Sequence, residues 1–286
     1  MMAVRSRKFR LGDVLTYIVL LAWSAFVLFP LFWIATMSFK REIDIFAYPP
    51  KFLAFDWSPD NYLDVFGLLQ DGSGSTNFPR YFLNSIAIVG GALALTVLLG
   101  TIAAYALARL NFRGRDAVGF LLILIRMVPV LTVLLPLYVM YRDTGLYNTY
   151  LGLILVYLFI GIPFYTWLVR GHVAAVPKEI EEAAIIDGCG TFRMLFRVVV
   201  PVMMPGLVSA ALLALIYMWN NFLFALILAG PDLLPVTTGL LNYLGYSSDY
   251  GNLAAACVVT TVPVILIGIF IQRYIVGGLS GGAVKG

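Results

Sequence analysis

Charge is what this sequence has least of. Asp, Glu, Lys and Arg together make up 12% of its 286 residues, against roughly 25% in soluble globular chains. Hydrophobic residues reach 61%. That balance excludes a soluble enzyme, a disordered regulator and a fibrous protein. Histidine occurs once, at His172, and cysteine twice, at Cys189 and Cys257. Two cysteines build no disulfide framework, and these two lack metal-ligand spacing. One histidine gives a catalytic triad or a metal site little to start from. There is no G-x-x-x-x-G-K-[ST] phosphate-binding loop, so the chain does not itself hydrolyse ATP. These absences point to an all-α integral membrane protein without a catalytic centre, whose energy comes from a partner or an ion gradient.

The few charges that exist mark where the chain crosses the membrane, because a charged side chain at the bilayer centre costs at least ~2.5–3.5 kcal/mol. Charge-free stretches run from Asp13 to Lys40, Arg80 to Arg109, Asp143 to Arg170, Arg197 to Asp232 and Asp249 to Arg273. A sixth, between Asp116 and Arg142, is interrupted only by Arg126. Each holds the ~20 apolar residues that a helix needs to span the hydrocarbon core. The expectation is one transmembrane domain over residues 1–286 with spans at 14–37, 82–108, 117–141, 150–169, 206–229 and 252–272. The first span reads as a retained helix, since its apolar core outruns a signal peptide and no small-residue cleavage pattern follows.

Six spans put both termini on one side. With both ends cytoplasmic, thirteen Lys and Arg fall inside and five (Lys40, Arg41, Lys51, Arg80 and Arg142) outside. That bias sets orientation. The basic excess is therefore topological and gives no reason to expect nucleic acid. Two outer loops, 40–78 and 230–250, are long for structureless connections. The inner loop, 170–204, has the pattern of structure.

Within that loop, Pro177 suits a first helical turn, and Glu179, Glu181 and Glu182 lie near the positive end of the helix dipole. Gly188 stands where a left-handed C-terminal residue belongs. A second short helix can start at Thr191 as N-cap and must end near Pro201. At 100° per residue, Ile180, Ala183, Ala184 and Asp187 share one face, and the alanines allow close approach. Glu182, Ile185 and Ile186 point the other way. Either a partner protein covers those isoleucines or the helix lies at the membrane interface with them in lipid.

Glu182-Ala183-Ala184, Asp187-Gly188 and Val198-x-Val200-Pro201 together resemble the EAA loop of ABC-importer permeases, with valines replacing Ile and Leu. Met127-Val128-Pro129, Leu135-Pro136-Leu137-Tyr138, Thr149-Tyr150-Leu151-Gly152-Leu153, Trp219-Asn220-Asn221-Phe222, Gln272-Arg273-Tyr274 and the ending Gly282 to Gly286 resemble the carbohydrate, MalG-like branch of that binding-protein-dependent family. The resemblance implies a six-helix, MetI-like type I importer fold in a bacterial or archaeal inner membrane. It implies a transport subunit for a sugar or sugar derivative, neutral or anionic. Partners would be a second, MalF-like permease, a cytoplasmic ATPase pair that binds ATP and Mg, and an external solute-binding protein received by the outer loops. Residues Glu182, Ala183, Ala184, Ile185, Ile186, Asp187, Gly188 and Pro201 would couple the chain to the ATPase. The common form of the Trp-Asn motif has an acid where Asn221 stands.

Arg126 lies nine positions beyond Ala117, ~14 Å along a helix, and so near the membrane midplane. No Asp or Glu occurs inside any span. Its partners could be backbone carbonyls, Asn220 or Asn221, the second permease, or an anionic solute. Tyr217, Trp219, Asn220 and Asn221 form a polar and aromatic cluster suited to sugars, and equally to interhelical hydrogen bonding. Gly100, Ala104 and Ala108 form a packing stripe, and Pro30, Pro129, Pro136, Pro163 and Pro263 should kink their helices. An ion-coupled secondary transporter of small polar solutes is the alternative, and the absence of any intramembrane acid counts against it.

Overall fold

The computed structural model describes residues 11–68, 77–244 and 249–282, with side chains described from 12 to 272 within them. The basic cluster at Arg5, Arg7, Lys8 and Arg10, the side chains of Arg273 and Tyr274, and the ending at residues 283–286 lie outside them. The described residues are mostly helical and contain no β-strand. In chain order the helices are α1 (Leu11–Met37), α2 (Glu42–Ile45), α3 (Asp60–Val65), α4 (Phe78–Arg109), α5 (Arg115–Met127), α6 (Val130–Asp143) and α7 (Tyr150–Ala175). Then come α8 (Lys178–Ile186), α9 (Thr191–Met194), a π-helical turn (Leu195–Val199), α10 (Val200–Val202), α11 (Met204–Trp219), α12 (Leu223–Leu228), α13 (Val236–Gly239) and α14 (Tyr250–Gly282). Of these, α1, α4, α7 and α14 are long and apolar enough to cross a bilayer unbroken. Six candidate spans result when two bent pairs are each taken as one.

One of those bends falls at Pro129, one of the five prolines expected to kink their helices. The stretch 117–141 breaks between α5 and α6, with a 96° bend at Val128-Pro129. The residue before a proline is pushed out of the α region, and Val128 is extended (φ −68°, ψ 125°). Pro30, Pro136, Pro163 and Pro263 instead stay inside continuous helices. The stretch 206–229 is interrupted after Trp219. There Asn220 Nδ2 donates back to the Ile216 carbonyl (2.8 Å), and such local side-chain bonds compete with the helical ladder.

The chain after α8 also runs differently. Gly190, not Thr191, occupies the N-cap of α9. Helical structure passes through Pro201 to Val202, then turns by 84° into α11. The π turn over Leu195–Val199 immediately precedes Pro201. A wider turn relieves the clash between a proline ring and the carbonyl four residues back.

Two compact units divide the chain. The first comprises Met1–Thr76 and Tyr243–Val259. In it α1 is exposed from Gly12 to Phe32 and becomes buried only in its last turn, at Thr36, whereas Lys40 is 1% exposed. Lys40 Nζ donates to the Lys51 carbonyl (2.6 Å) and lies over the rings of Trp33 (4.4 Å) and Phe55 (5.0 Å). Asn61 donates to the carbonyls of Ser38 (3.0 Å) and Lys40 (2.9 Å). Asn252, near the start of α14, meets Asp64. The described part of the 40–78 segment is thus cross-tied structure.

The second unit comprises Asn77–Asn242 and Thr260–Gly286, and its spine is α4 packed on α7 and α11. Gly100 permits this: a Cβ there would lie 2.6 Å from the Tyr165 ring. Ala104 is fully buried beside Tyr165 and Val169, as the small-residue stripe required. One apolar core runs from there through Val173 and Val176 to Ala184, Met194 and Val199, then into α11 at Leu207, Ala210 and Ala214. At the other end, residues 230–239, part of the long outer loop expected, are folded onto α4. Asn84 donates to the carbonyls of Asp232 (3.3 Å) and Leu234 (3.2 Å), and Ser85 Oγ accepts from the Val236 amide (2.8 Å). Buried Val236, Thr238 and Gly239 complete that seat.

Candidate functional site

Helix α8 begins at Lys178, with Pro177 at its N-cap in an extended conformation (ψ 135°). It ends at Ile186, and beyond its C-cap Asp187 stands Gly188, whose φ of 79° is the left-handed conformation expected there. The Gly188 amide donates to Ile185 and the Cys189 amide to Ala184, closing the last turn.

The packed face of α8 is Ile180, Glu181 and Ala184. This corrects the face expected from the sequence, which included Ala183 and Asp187; both are exposed. Asp187 leaves the face because the helix stops at Ile186 and the chain turns there (ψ 6°). Ala183 is rotated 100° from Ala184. Glu182 is exposed, and so are Ile185 (59%), Ile186 (86%) and, just beyond, Phe192 (69%). Pro201 is exposed too.

From the sequence Glu181 is only one of three acids near the positive end of the helix dipole, with no partner assigned to it. It is 7% exposed, and both its carboxylate oxygens are occupied. Arg109 Nε, at the end of α4, donates to Oε1 (2.6 Å), and Tyr105 Oη, one turn earlier, donates to Oε2 (3.0 Å). Arg109 also donates to the carbonyl of Val176, at the joint between α7 and α8 (2.5 Å). A pair separated by 72 positions leaves no spacing to read. The available signal was the i, i+3 relation of Glu181 to Ala184, which puts an acid on the face that packs.

The second constellation lies where two helix breaks face shared space. A cavity of about 120 Å³ is lined by Arg126, Val128, Val130, Phe159, Tyr217 and Phe224, among others. A more open one of about 540 Å³ is lined by Val130, Leu213, Tyr217, Asn220, Asn221 and Phe222. Val130 and Tyr217 belong to both. The Arg126 guanidinium rests over the rings of Phe164 (4.5 Å) and Tyr217 (5.3 Å). Such stacking stabilises a cation by ~0.5–2 kcal/mol. Among the described residues Arg126 has no hydrogen bond or ion pair, so neither carbonyls nor Asn220 and Asn221 hold it.

Asn220 and Asn221 line the open cavity. The Asn221 carbonyl accepts from Tyr157 Oη and Thr237 Oγ1 (3.3 Å each). Its buried Oδ1 accepts nothing among the described residues. Trp219 lines neither cavity. It is buried, donates from Nε1 to the Thr260 carbonyl (3.2 Å) and packs edge-on against Phe82. The structure thus brings Arg126, Tyr217, Asn220 and Asn221 to connected space and leaves Trp219 in the packing. Phe164, which sequence reasoning passed over, joins them.

Residues 96–281 match the family described as binding-protein-dependent transport system inner membrane component. The probable ABC transporter permease protein YurM of Bacillus subtilis is 32% identical over 98% of this chain and 91% of its own length. The diacetylchitobiose uptake system permease protein NgcG of Streptomyces coelicolor is 34% identical, covering 95% and 88%. Among solved structures, a chain of a bacterial ABC transporter involved in the import of the acidic polysaccharide alginate superposes with a TM-score of 0.79. It covers 96% of this chain and 99% of that one at 22% identity, a likeness of fold. The family match covers well over half of the sequence, and both relatives span nearly all of it. The chain therefore belongs to the binding-protein-dependent transport system inner membrane components, the permease subunits of ABC transporters.

Proposed function

We propose that this subunit imports a sugar or sugar derivative, pairs with a second permease, and is driven by a cytoplasmic ATPase that docks on α8. Both termini then face the cytoplasm, a reading that the thirteen-to-five split of positive charge supports. The observation that carries this reading is the outer face of α8, where Ile185 and Ile186 stand exposed on a helix fixed from its other side. Glu179, Glu182 and Asp187 flank them, and all three are exposed. A helix lying in lipid headgroups is ordinarily rich in Lys and Arg on its polar face, so this acidic rim favours a protein groove over a lipid surface. NgcG's diacetylchitobiose and the alginate of the structural neighbour support a carbohydrate cargo. Arg126 with its two rings, and the amides of Asn220 and Asn221, offer the mix of apolar walls and few polar groups that small-molecule sites use.

The test is copurification. Ile186→Asp would place a charge in the buried centre of the docked face, and Glu182→Lys would reverse one in its rim. Each should cut recovery of the ATPase with the membrane subunits by about tenfold or more, ~1.4 kcal/mol of affinity, while insertion stays normal. Full recovery with both variants would refute docking on α8.

A further inference from the structure

We infer that Glu181, Arg109 and Tyr105 form the link that carries movement of α8 into the membrane-spanning helix α4. This rests on the reading that α8 receives the ATPase. The two faces of α8 differ in kind. The outer face is apolar and exposed, whereas the inner face ends in a buried carboxylate gripped by two donors from one helix. Arg109 makes both a charge-assisted bond to α8 and a bond to the Val176 carbonyl where α7 passes into α8. A single guanidinium therefore ties the end of α4 to the helix that would be pushed and to the joint about which it would turn.

Apolar contacts around Ala184 slide with little resistance, because the hydrophobic effect has no direction. A charge-assisted hydrogen bond is directional and holds its partners in register. Glu181 resists both push and pull along the line to Arg109, while Tyr105, one turn earlier on α4, fixes the carboxylate's rotation. From Arg109, α4 runs past Tyr105, Ala104 and Gly100 against Tyr165 and Thr166 of α7. A displacement of the grip is thereby passed into the α4–α7 pair, whose α7 supplies Phe159 and Ile160 to the wall of the Arg126 cavity, and into α11, which packs on both helices. These are positioning residues, since none of them touches cargo or nucleotide.

The experiment uses the assembled complex of this chain, the second permease and the ATPase, in lipid nanodiscs. Cys189 and Cys257 are replaced by serine, and a reporter is placed in the open cavity by Leu213→Cys. The readout is the rate of maleimide labelling at that cysteine, without nucleotide and after trapping with ATP and vanadate. With the link intact, trapping should change the rate by about fivefold or more, the low end of ordinary allosteric coupling. Glu181→Gln and Arg109→Gln should leave the ATPase bound and hydrolysing ATP while the labelling rate no longer responds. The exchanged pair Glu181→Arg with Arg109→Glu should restore the response, a rescue that a loss of packing would not give. Tyr105→Phe, which keeps the ion pair, should give an intermediate response and decides the matter if the other variants fail to assemble. A full response in Glu181→Gln or Arg109→Gln, or in Tyr105→Phe where only it assembles, overturns the link and leaves the docking reading standing. No ATPase bound to the unaltered subunit overturns the docking reading, and the link with it.

Discussion

At Gly188 the backbone alone decides what is tolerated, since an added Cβ would meet nothing within 4 Å while φ stands at 79°. The left-handed conformation costs an ordinary residue ~1–2 kcal/mol, and Asn pays least because its short side chain bonds locally. Gly188→Asn should therefore keep most ATPase copurification, and Gly188→Val, a β-branched residue in the same conformation, should lose most of it. Equal recovery from the two would mean that the turn is not what orients α8. Lys40 poses the opposite case, a residue constrained by its surroundings. Burial pushes its ammonium below the ordinary lysine value, and Asp44 pulls the other way with less effect. The unfolded chain then keeps this proton to a higher pH than the folded one. Since stability rises with pH wherever the unfolded state binds more protons, the 40–68 segment should become harder to proteolyse as pH climbs toward 10.5. Lys40→Met should remove that rise. A slope that survives the substitution would assign it to another group.

Among elements, the breaks do more than the spans. Charge-free stretches coincide with the long apolar helices α1, α4, α7 and α14, because charge is costly in lipid wherever it falls and leaves its mark on any sequence. Breaks were less legible. Pro129 ends α5, yet Pro163 lies buried inside a continuous α7, so what a proline does depends on whether neighbours satisfy the carbonyl it frees. That information is tertiary. The interruption at Asn220 was equally hidden, although the amide bond back to Ile216 is local. The same division holds at the sites. The left-handed Gly188 and the exposed isoleucines of α8 follow from local periodicity, whereas the grip of Arg109 on Glu181 and the rings beneath Arg126 arise from pairs far apart in sequence. Pro129→Ala removes the restriction on Val128 and lets α5 run toward α6, which would straighten the wall of the Arg126 cavity. Transport of labelled sugars should fall by about tenfold or more, in line with a lost interaction of ~1.4 kcal/mol, while ATPase copurification holds. Unchanged uptake would show that the bend is not needed for passage.

For the whole subunit, the question is which surface meets the solute-binding protein that the family's name implies. In the orientation proposed above the 230–244 segment faces outward, and its first part is held on α4 by Asn84 and Ser85 rather than left as a free loop. A rigid seat suits a docking surface better than a slack one, because little ordering entropy is then lost on binding. Asp232 and Asp249 both carry exposed acids in this region of the sequence, but they are not equivalent as probes. Asp249 Oδ1 accepts from the Asn252 amide (3.0 Å) at the start of α14, and loss of such a cap costs ~0.5–2 kcal/mol on its own account. Asp232 has only a long, exposed pairing with Arg80 at 3.7 Å, of a class that contributes ~0–1 kcal/mol, while its backbone carbonyl supplies the contact with Asn84. Asp232→Lys should therefore leave the melting temperature of the complex unchanged and lower its ATPase stimulation by the binding protein. Asp249→Lys should lower both. If Asp232→Lys retains full stimulation, the binding protein docks elsewhere, and the described part of the 40–78 segment becomes the surface to alter next.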